Sequence, residues 1–235
     1  NKNIHPLPNL SFKFVCANSL IPLGDKGETI VRNQKFLADF DDIRERFFHA
    51  HSAQEKELIK KDFAALNQDL MDSLIQTPYQ QSSLFDESPQ QVKAKAPKDS
   101  YLYKLLAWDP FSDKASSWFD PKWMFGIKEG FDIVIGNPPY IQLTKDLDDK
   151  RKFADLYKDC KYQSFERSGD MYCLFYERGV QLLSHGGVLC YITSNKWMRA
   201  NYGGALRKYL AENTQARILI DFGGFKVFDS ATVDT

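Results

Sequence analysis

Residues 130–143 read Gly-Phe-Asp-Ile-Val-Ile-Gly-Asn-Pro-Pro-Tyr-Ile-Gln-Leu, a branched apolar run that stops at Gly136 and two adjacent prolines. Proline has no N–H for a ladder hydrogen bond, so a strand entering this segment must end there. The pattern predicts a strand over Asp132–Ile135 with little alternation of polarity. Such a strand is expected to be buried on both faces, as in a parallel sheet flanked by helices. The loop that follows is stiff before any ligand arrives. Asn137 and Pro138 each precede a proline and are pushed toward extended backbone, and the two rings set φ at 138 and 139. With no N–H on either proline, the Asn137 side-chain oxygen and the Pro138 carbonyl can serve as paired acceptors aimed at one point.

The remaining periodicity places this strand in an α/β fold. Asp170 is a plausible helix N-cap, the apolar spacing of Leu174, Tyr176, Val180 and Leu183 predicts a helix, and Gly186-Gly187 is read as its close. A second buried strand is expected over Val188–Thr193, a helix over Gly204–Asn213 and a third strand over Arg217–Phe222. A last strand is expected to begin near Lys226. Toward the N-terminus, Phe12–Cys16 is a short strand candidate. Phe36, Phe40, Ile43 and Phe47, then Ile59, Phe63, Leu66, Leu70 and Leu74, recur at helical spacing across a polar break and predict a helical hairpin with a packed aromatic stripe. Pro78–Ser100, rich in Gln, Ser, Lys and Pro, reads as a connector. A short helix candidate at Tyr101–Trp108 and an aromatic link with Trp118, Phe119, Trp123 and Phe125 lead into the central strand.

Composition excludes several classes of function. Lys plus Arg equals Asp plus Glu at 31 each, so any grip on phosphates must be local or come from another domain. Cys16, Cys160, Cys173 and Cys190 are scattered and the four histidines form no H-E-x-x-H, which argues against a zinc site or a disulfide framework. No apolar run approaches the roughly 20 residues of a membrane span. Asn1-Lys2-Asn3-Ile4-His5 carries neither a signal-peptide core nor an initiator methionine, so the chain is expected to be cytoplasmic and a portion of a longer polypeptide.

In open parallel sheets, ligands bind beyond the carboxyl ends of the strands, where Asn137–Tyr140 is expected. Two converging acceptors suit an –NH2 group whose lone pair is conjugated into a ring or carbonyl. Binding both hydrogens draws the nitrogen toward tetrahedral geometry and frees the lone pair for attack on an electrophilic methyl group, by positioning and electrostatics rather than by a strong base. The Tyr140 ring offers a stacking surface, worth about 1–3 kcal/mol per base in single-strand binders. An amino group inside a duplex becomes reachable only when its base is flipped out. The bland alternative is a proline-rich turn with Tyr140 packing outward. Methylation at cytosine C5 is disfavoured, because it needs a thiolate nucleophile and the chain has no Pro-Cys dipeptide.

With these residues in place, the sequence resembles the gamma-class DNA N6-adenine methyltransferases, most closely the methylase module of type IIG restriction-modification enzymes. The resemblance is carried by "NLSFKFVCANSL", "FDPKWMFGIKEGFDIVIGNPPYIQL", "GDMYCLFYERGVQLLSHGGVLCYITSNKWM" and "ILIDFGGFKVFDSATVDT". It implies a Rossmann-like S-adenosylmethionine-dependent methyltransferase sheet, incomplete because its first strands are missing, with a helical-hairpin insertion. Residues 1–27 would begin the partial methyltransferase domain, 28–100 would be the helical insertion and connector, and 101–235 the catalytic part. The catalytic motif would be Asn137, Pro138, Pro139 and Tyr140. Asn137 and Pro138 would accept from the adenine amino group and Tyr140 would stack on the flipped base, with Phe228 on its other face. Asn18, Asp170 and Phe175 would face S-adenosylmethionine, and Tyr172 falls in the same motif as Asp170. Each has an alternative: Asn18 as a turn residue, Asp170 as a helix cap, Phe228 as core with Phe225 in its place.

The family's glycine-rich cofactor loop and the acidic ribose ligand on the following strand do not precede Asn18. Gly223-Gly224 in "LIDFGGF" would supply such a loop only in a permuted strand order. The expected partners are double-stranded DNA, through a flipped adenine, and the remaining domains of the parent polypeptide. The alternatives are a catalytically inert DNA-binding or scaffold fragment, or an N-P-P-Y methyltransferase acting on protein glutamine or RNA guanine. The Asp170–Leu183 segment and the large insertion disfavour the last two.

Overall fold

The computed structural model describes residues 13–24, 34–75, 107–112 and 114–223, together with Lys104, Phe225 and Val227. The chain divides into two units, Asn1–Gly126 and Ile127–Thr235. In the first, α1 (Gln34–His49) packs on α2 (Ala53–Ile75). The helical spacing puts Phe40, Ile43 and Phe47 of α1 and Ile59, Phe63 and Leu66 of α2 into one core with Trp108, Trp118, Trp123 and Met124. Phe40 stacks on Trp123 at 5.6 Å between ring centroids and meets Phe63 at 5.8 Å. Such ring pairs add about 0.5–1.5 kcal/mol each beyond the area they bury.

The turn between the helices is set by a capping box. Ser52 Oγ accepts from the Glu55 N–H at 3.1 Å, and Glu55 Oε2 accepts from the Ser52 and His51 N–H groups at 3.0 and 2.9 Å. A one-turn helix, α3 (Pro121–Phe125), follows Asp120, whose Oδ1 accepts from the Trp123 N–H at 2.7 Å. It stops at Gly126, where φ is 71°. The strand expected over Phe12–Cys16 is not formed over its described residues, 13–16. Among the described residues this segment makes one parallel bridge, Ala17 with Ser116, and Phe14 is 70% exposed.

Among the described residues the second unit is built on two parallel strands, β1 (Phe131–Gly136) and β2 (Leu183–Tyr191), with α4 (Phe153–Tyr157), α5 (Met171–Gln181) and α6 (Gly204–Asn213). The unit is therefore mixed α/β with a small parallel sheet. β2 starts five residues before the predicted Val188, and Gly186-Gly187 lies within it rather than closing the helix. The two glycines serve an irregularity in the ladder: Phe131 pairs with Leu183, but Ile133 pairs with Val188. Gly186 has φ 79°, and a Cβ on Gly187 would lie 2.9 Å from the Phe131 carbonyl oxygen.

Two further expectations are corrected. β1 is not buried on both faces: α5 packs behind Leu189 and Tyr191, whereas Ile133, Ile135 and Val188 are 66%, 77% and 52% exposed. No described element covers that second face. Arg217–Phe222 forms no strand either, and Ile218 is 82% exposed. Branched composition alone does not make a strand, and among the described residues this segment joins no ladder. The strand expected near Lys226 lies outside the described residues, as do the Pro78–Ser100 connector and most of Tyr101–Trp108. Among the described residues, no helix is long and apolar enough to cross a membrane.

Candidate active site

β1 delivers Asn137 to the carboxyl end of the sheet. Asn137 is exposed, Pro138 is buried, and Pro139 and Tyr140 are half-buried. The loop is thus anchored at its first proline while its amide stays open to solvent. The Tyr140 hydroxyl lies 3.2 Å from Asn137 Oδ1 and 3.3 Å from the Ile192 carbonyl, so its one hydrogen is shared between two long contacts. Ile192 is itself tied to β1, its N–H donating to the Gly136 carbonyl at 3.2 Å. Burial raises the Tyr140 pKa, and the phenol stays a neutral donor.

After Tyr140 the chain is laced to the start of α5. The Met171 N–H donates to the Ile141 carbonyl and the Leu143 N–H to the Gly169 carbonyl, both at 2.8 Å, across an antiparallel bridge from Gln142 to Asp170. The excursion between them folds back on Leu143, whose carbonyl accepts from the Ala154 N–H at 2.8 Å. Its far end is held by Glu177 of α5. This carboxylate, only 1% exposed, accepts from the Ser164 N–H at 2.7 Å and the Gln163 N–H at 3.0 Å.

Asp170 is the N-cap residue of α5, yet its side chain makes no capping bond. Its Oδ2 instead lies 2.8 Å from the Tyr202 hydroxyl and 3.0 Å from that of Tyr172, and the two hydroxyls are 2.8 Å apart. Burial pushes the Tyr202 phenol up to about 12 and raises that of Tyr172 further, aided by its bond to Tyr202 and by the Asp170 charge. The Tyr172 ring meets Tyr140 edge-on at 6.1 Å and 69°. A second aromatic group adjoins: Tyr176 bonds the Thr193 hydroxyl at 2.9 Å and packs on Tyr191 and Trp197. Phe175 is half-buried on α5.

The structure therefore brings Asn137, Tyr140, Tyr172 and Asp170 together. Asn18 belongs to the first unit, and its Oδ1 accepts from the Leu20 N–H at 3.2 Å, closing a local turn. Phe228 lies outside the described residues, while Phe225 is described and 83% exposed. Tyr202 has no sequence signal, because it stands 32 residues from Asp170 and reaches it only through the fold.

An exposed amide and a half-buried phenol at the carboxyl end of a parallel strand, with a helix behind, belong to a mixed α/β protein whose candidate site lies at the carboxyl edge of its sheet. The Eco57I restriction-modification methylase family matches residues 48–228, more than half of the chain, and the chain belongs to that family. Among its relatives, the type II restriction enzyme and methyltransferase RM.Eco57I of Escherichia coli is 39% identical over 105 residues, 45% of this chain and 10% of that protein. The type II methyltransferase M.PaeR7I of Pseudomonas aeruginosa is 35% identical over 103 residues, 44% of this chain and 17% of the relative. The type II methyltransferase M.BstVI of Geobacillus stearothermophilus is 28% identical over 181 residues, 68% of this chain and 31% of the relative. The chain thus spans less than a third of the length of each.

Proposed function

We propose that this chain holds the target-base half of a DNA adenine-N6 methyltransferase of the type IIG kind, acting in a restriction-modification system. The observation that carries the reading is Asn137, exposed at the tip of β1 with the Tyr140 phenol against its Oδ1. An adenine flipped from the duplex stacks on Tyr140 and gives its two amino hydrogens to Asn137 Oδ1 and the Pro138 carbonyl, with Phe228 on its second face. The two bonds localise the lone pair on nitrogen, which becomes the nucleophile. That its relatives are type II methyltransferases supports the methyl-transfer part of this reading. The division into residues 1–27, 28–100 and 101–235 and a Rossmann-like sheet completed by further chain belong to the same reading. Sequence recognition on the DNA then falls to other domains.

S-adenosylmethionine is taken as the methyl donor on the strength of the family. Of the side chains assigned to it, Asp170 Oδ2 is occupied by tyrosine hydroxyls and Asn18 Oδ1 by the Leu20 N–H. The half-buried Phe175 ring is the third group of this reading.

The test is Asn137→Ala in the full-length chain, with tritium transfer from labelled S-adenosylmethionine to unmethylated phage DNA. Transfer should fall by about a hundredfold or more, as when a preorganised polar group is removed from a reacting centre. DNA affinity should be retained. Normal turnover would remove Asn137 from the chemistry.

A further inference from the structure

We propose that Asp170, Tyr172 and Tyr202 form a positioning network that holds the Tyr140 ring as the platform for the flipped base. The inference rests on the base-stacking reading above and gives Asp170 a role on the base side of the site. Its starting point is a capping residue that does not cap. An aspartate at a helix N-cap ordinarily bonds the free N–H groups of the first turn. Here the backbone has the extended cap conformation, φ −96° and ψ 148°, while the carboxylate is turned to two phenols.

Proton counting shows how the triangle works. Two hydroxyl hydrogens serve three contacts, so one edge always lacks a hydrogen. The two 2.8 Å edges are satisfied by a relay in which Tyr172 donates to Tyr202 and Tyr202 donates to Asp170 Oδ2. The 3.0 Å edge from Tyr172 to the carboxylate is then the one without a hydrogen. In this arrangement Tyr202 is the residue that fixes the rotation of the Tyr172 hydroxyl. Tyr172 is 1% exposed and can move little, and its ring stands edge-on to Tyr140.

The network also gathers three separate parts of the chain. Asp170 and Tyr172 stand at the start of α5, and the backbone of residues 169–171 is laced to residues 141–143 immediately after Tyr140. Tyr202 arrives from the 3-10 turn Asn201–Gly203 before α6. That turn is held by Arg207, which donates to the Trp197 and Ala200 carbonyls at 2.5 and 3.0 Å. Tyr140 thus meets the Tyr172 ring in an edge contact and the Ile192 carbonyl through its hydroxyl.

The experiment is a double-mutant cycle between Tyr202→Phe and Tyr140→Ala in the full-length chain, read as tritium transfer from labelled S-adenosylmethionine to unmethylated phage DNA. Cofactor dissociation constants are measured by calorimetry alongside. Removing the charge-assisted hydroxyl should lower kcat/KM about tenfold. The loss should shrink to less than about twofold in the Tyr140→Ala background, because the two act through one ring. Cofactor affinity should stay unchanged, and Asp170→Asn, which keeps an acceptor oxygen, should recover most of what Asp170→Ala loses.

An equal Tyr202→Phe effect in both backgrounds overturns the proposal, as does weakened cofactor binding in Asp170→Asn. If Tyr140→Ala lowers transfer while Tyr202→Phe is silent, the network fails and the stacking reading stands. If Tyr140→Ala itself leaves transfer unchanged, the stacking reading falls and the network with it.

Discussion

Gly179→Ala is a substitution whose sign is decided by competition between a helix and the sheet behind it. Gly179 is buried in the last third of α5, and alanine in a helix interior is ordinarily favoured over glycine by about 1 kcal/mol. Here the added Cβ would lie 2.7 Å from Leu189 Cδ1, 2.7 Å from the Tyr191 hydroxyl and 3.1 Å from Tyr191 Cζ. Relief requires two β2 side chains to move together, and Tyr191 is already packed against Tyr176 at 5.4 Å. Overpacking of this kind costs about 1–3 kcal/mol, so after the helix gain the net loss is about 1 kcal/mol. Gly204→Ala is the control, since its Cβ would meet only Arg207 Nη2 at 3.7 Å. It should be neutral or stabilising. Urea unfolding should show a lower midpoint with unchanged m for Gly179→Ala alone. Tyr191 directly precedes Ile192, whose carbonyl takes the Tyr140 hydroxyl, so methyl transfer should weaken as well. A Gly179→Ala protein as stable as Gly204→Ala would refute the close packing of α5 on β2.

Glu177→Ala should destabilise by about 2 kcal/mol in the same assay, because it strands the buried Ser164 N–H and takes the acceptor from the Gln163 N–H. Full stability would show that another acceptor takes them. The Glu55 carboxyl is held below its ordinary range, first by the Ser52 and then by the His51 backbone N–H. A depressed folded-state pKa means the capping box stabilises α2 above the unfolded carboxylate value and is lost as pH falls through the lower folded value. Wild type should therefore lose melting temperature over that acid window more steeply than Glu55→Gln, and parallel curves would exclude this contribution. Tyr140→Phe gives up only a hydrogen shared over 3.2 and 3.3 Å, so transfer should fall less than about fivefold. Tyr140→Ala removes the ring proposed as a stacking surface, worth about 1–3 kcal/mol, and equal losses in the two variants would mean that the ring is not what matters.

The parts of this fold legible in the sequence are those set by local period. The Phe40–Phe47 and Ile59–Leu66 stripes mark α1 and α2 because each helix buries one face, and Gly204–Asn213 is a helix with the limits its residues predict. Ser52-x-x-Glu55 is a legible start signal for α2 within what apolar spacing alone reads as a polar break. The glycine pair at 186–187 shows where local reading stops. A Gly-Gly after an apolar helix and a Gly-Gly inside an irregular strand have the same composition, and only the jump in register opposite Phe131–Ile133 tells them apart. Ile218-Leu219-Ile220 has strand composition without a strand and is exposed, since β-propensity acts through packing neighbours that the residues alone do not supply.

The site divides along the same line. N-P-P-Y announces two acceptors and a ring, which is chemistry that four consecutive residues can carry. Their placement depends on contacts that no window of sequence contains: Tyr140 to Ile192 across 52 residues, Asp170 to Tyr202 across 32, and residues 141–143 against 169–171. The two prolines stiffen the loop against itself, and the lacing to α5 fixes it against the sheet. A reacting amine must be held within a fraction of an ångström of its acceptors. Stiffness without that anchoring would leave the acceptors parallel but misplaced. This is why substitutions at Tyr202 or Gly179, neither of them in the motif, are expected to change methyl transfer.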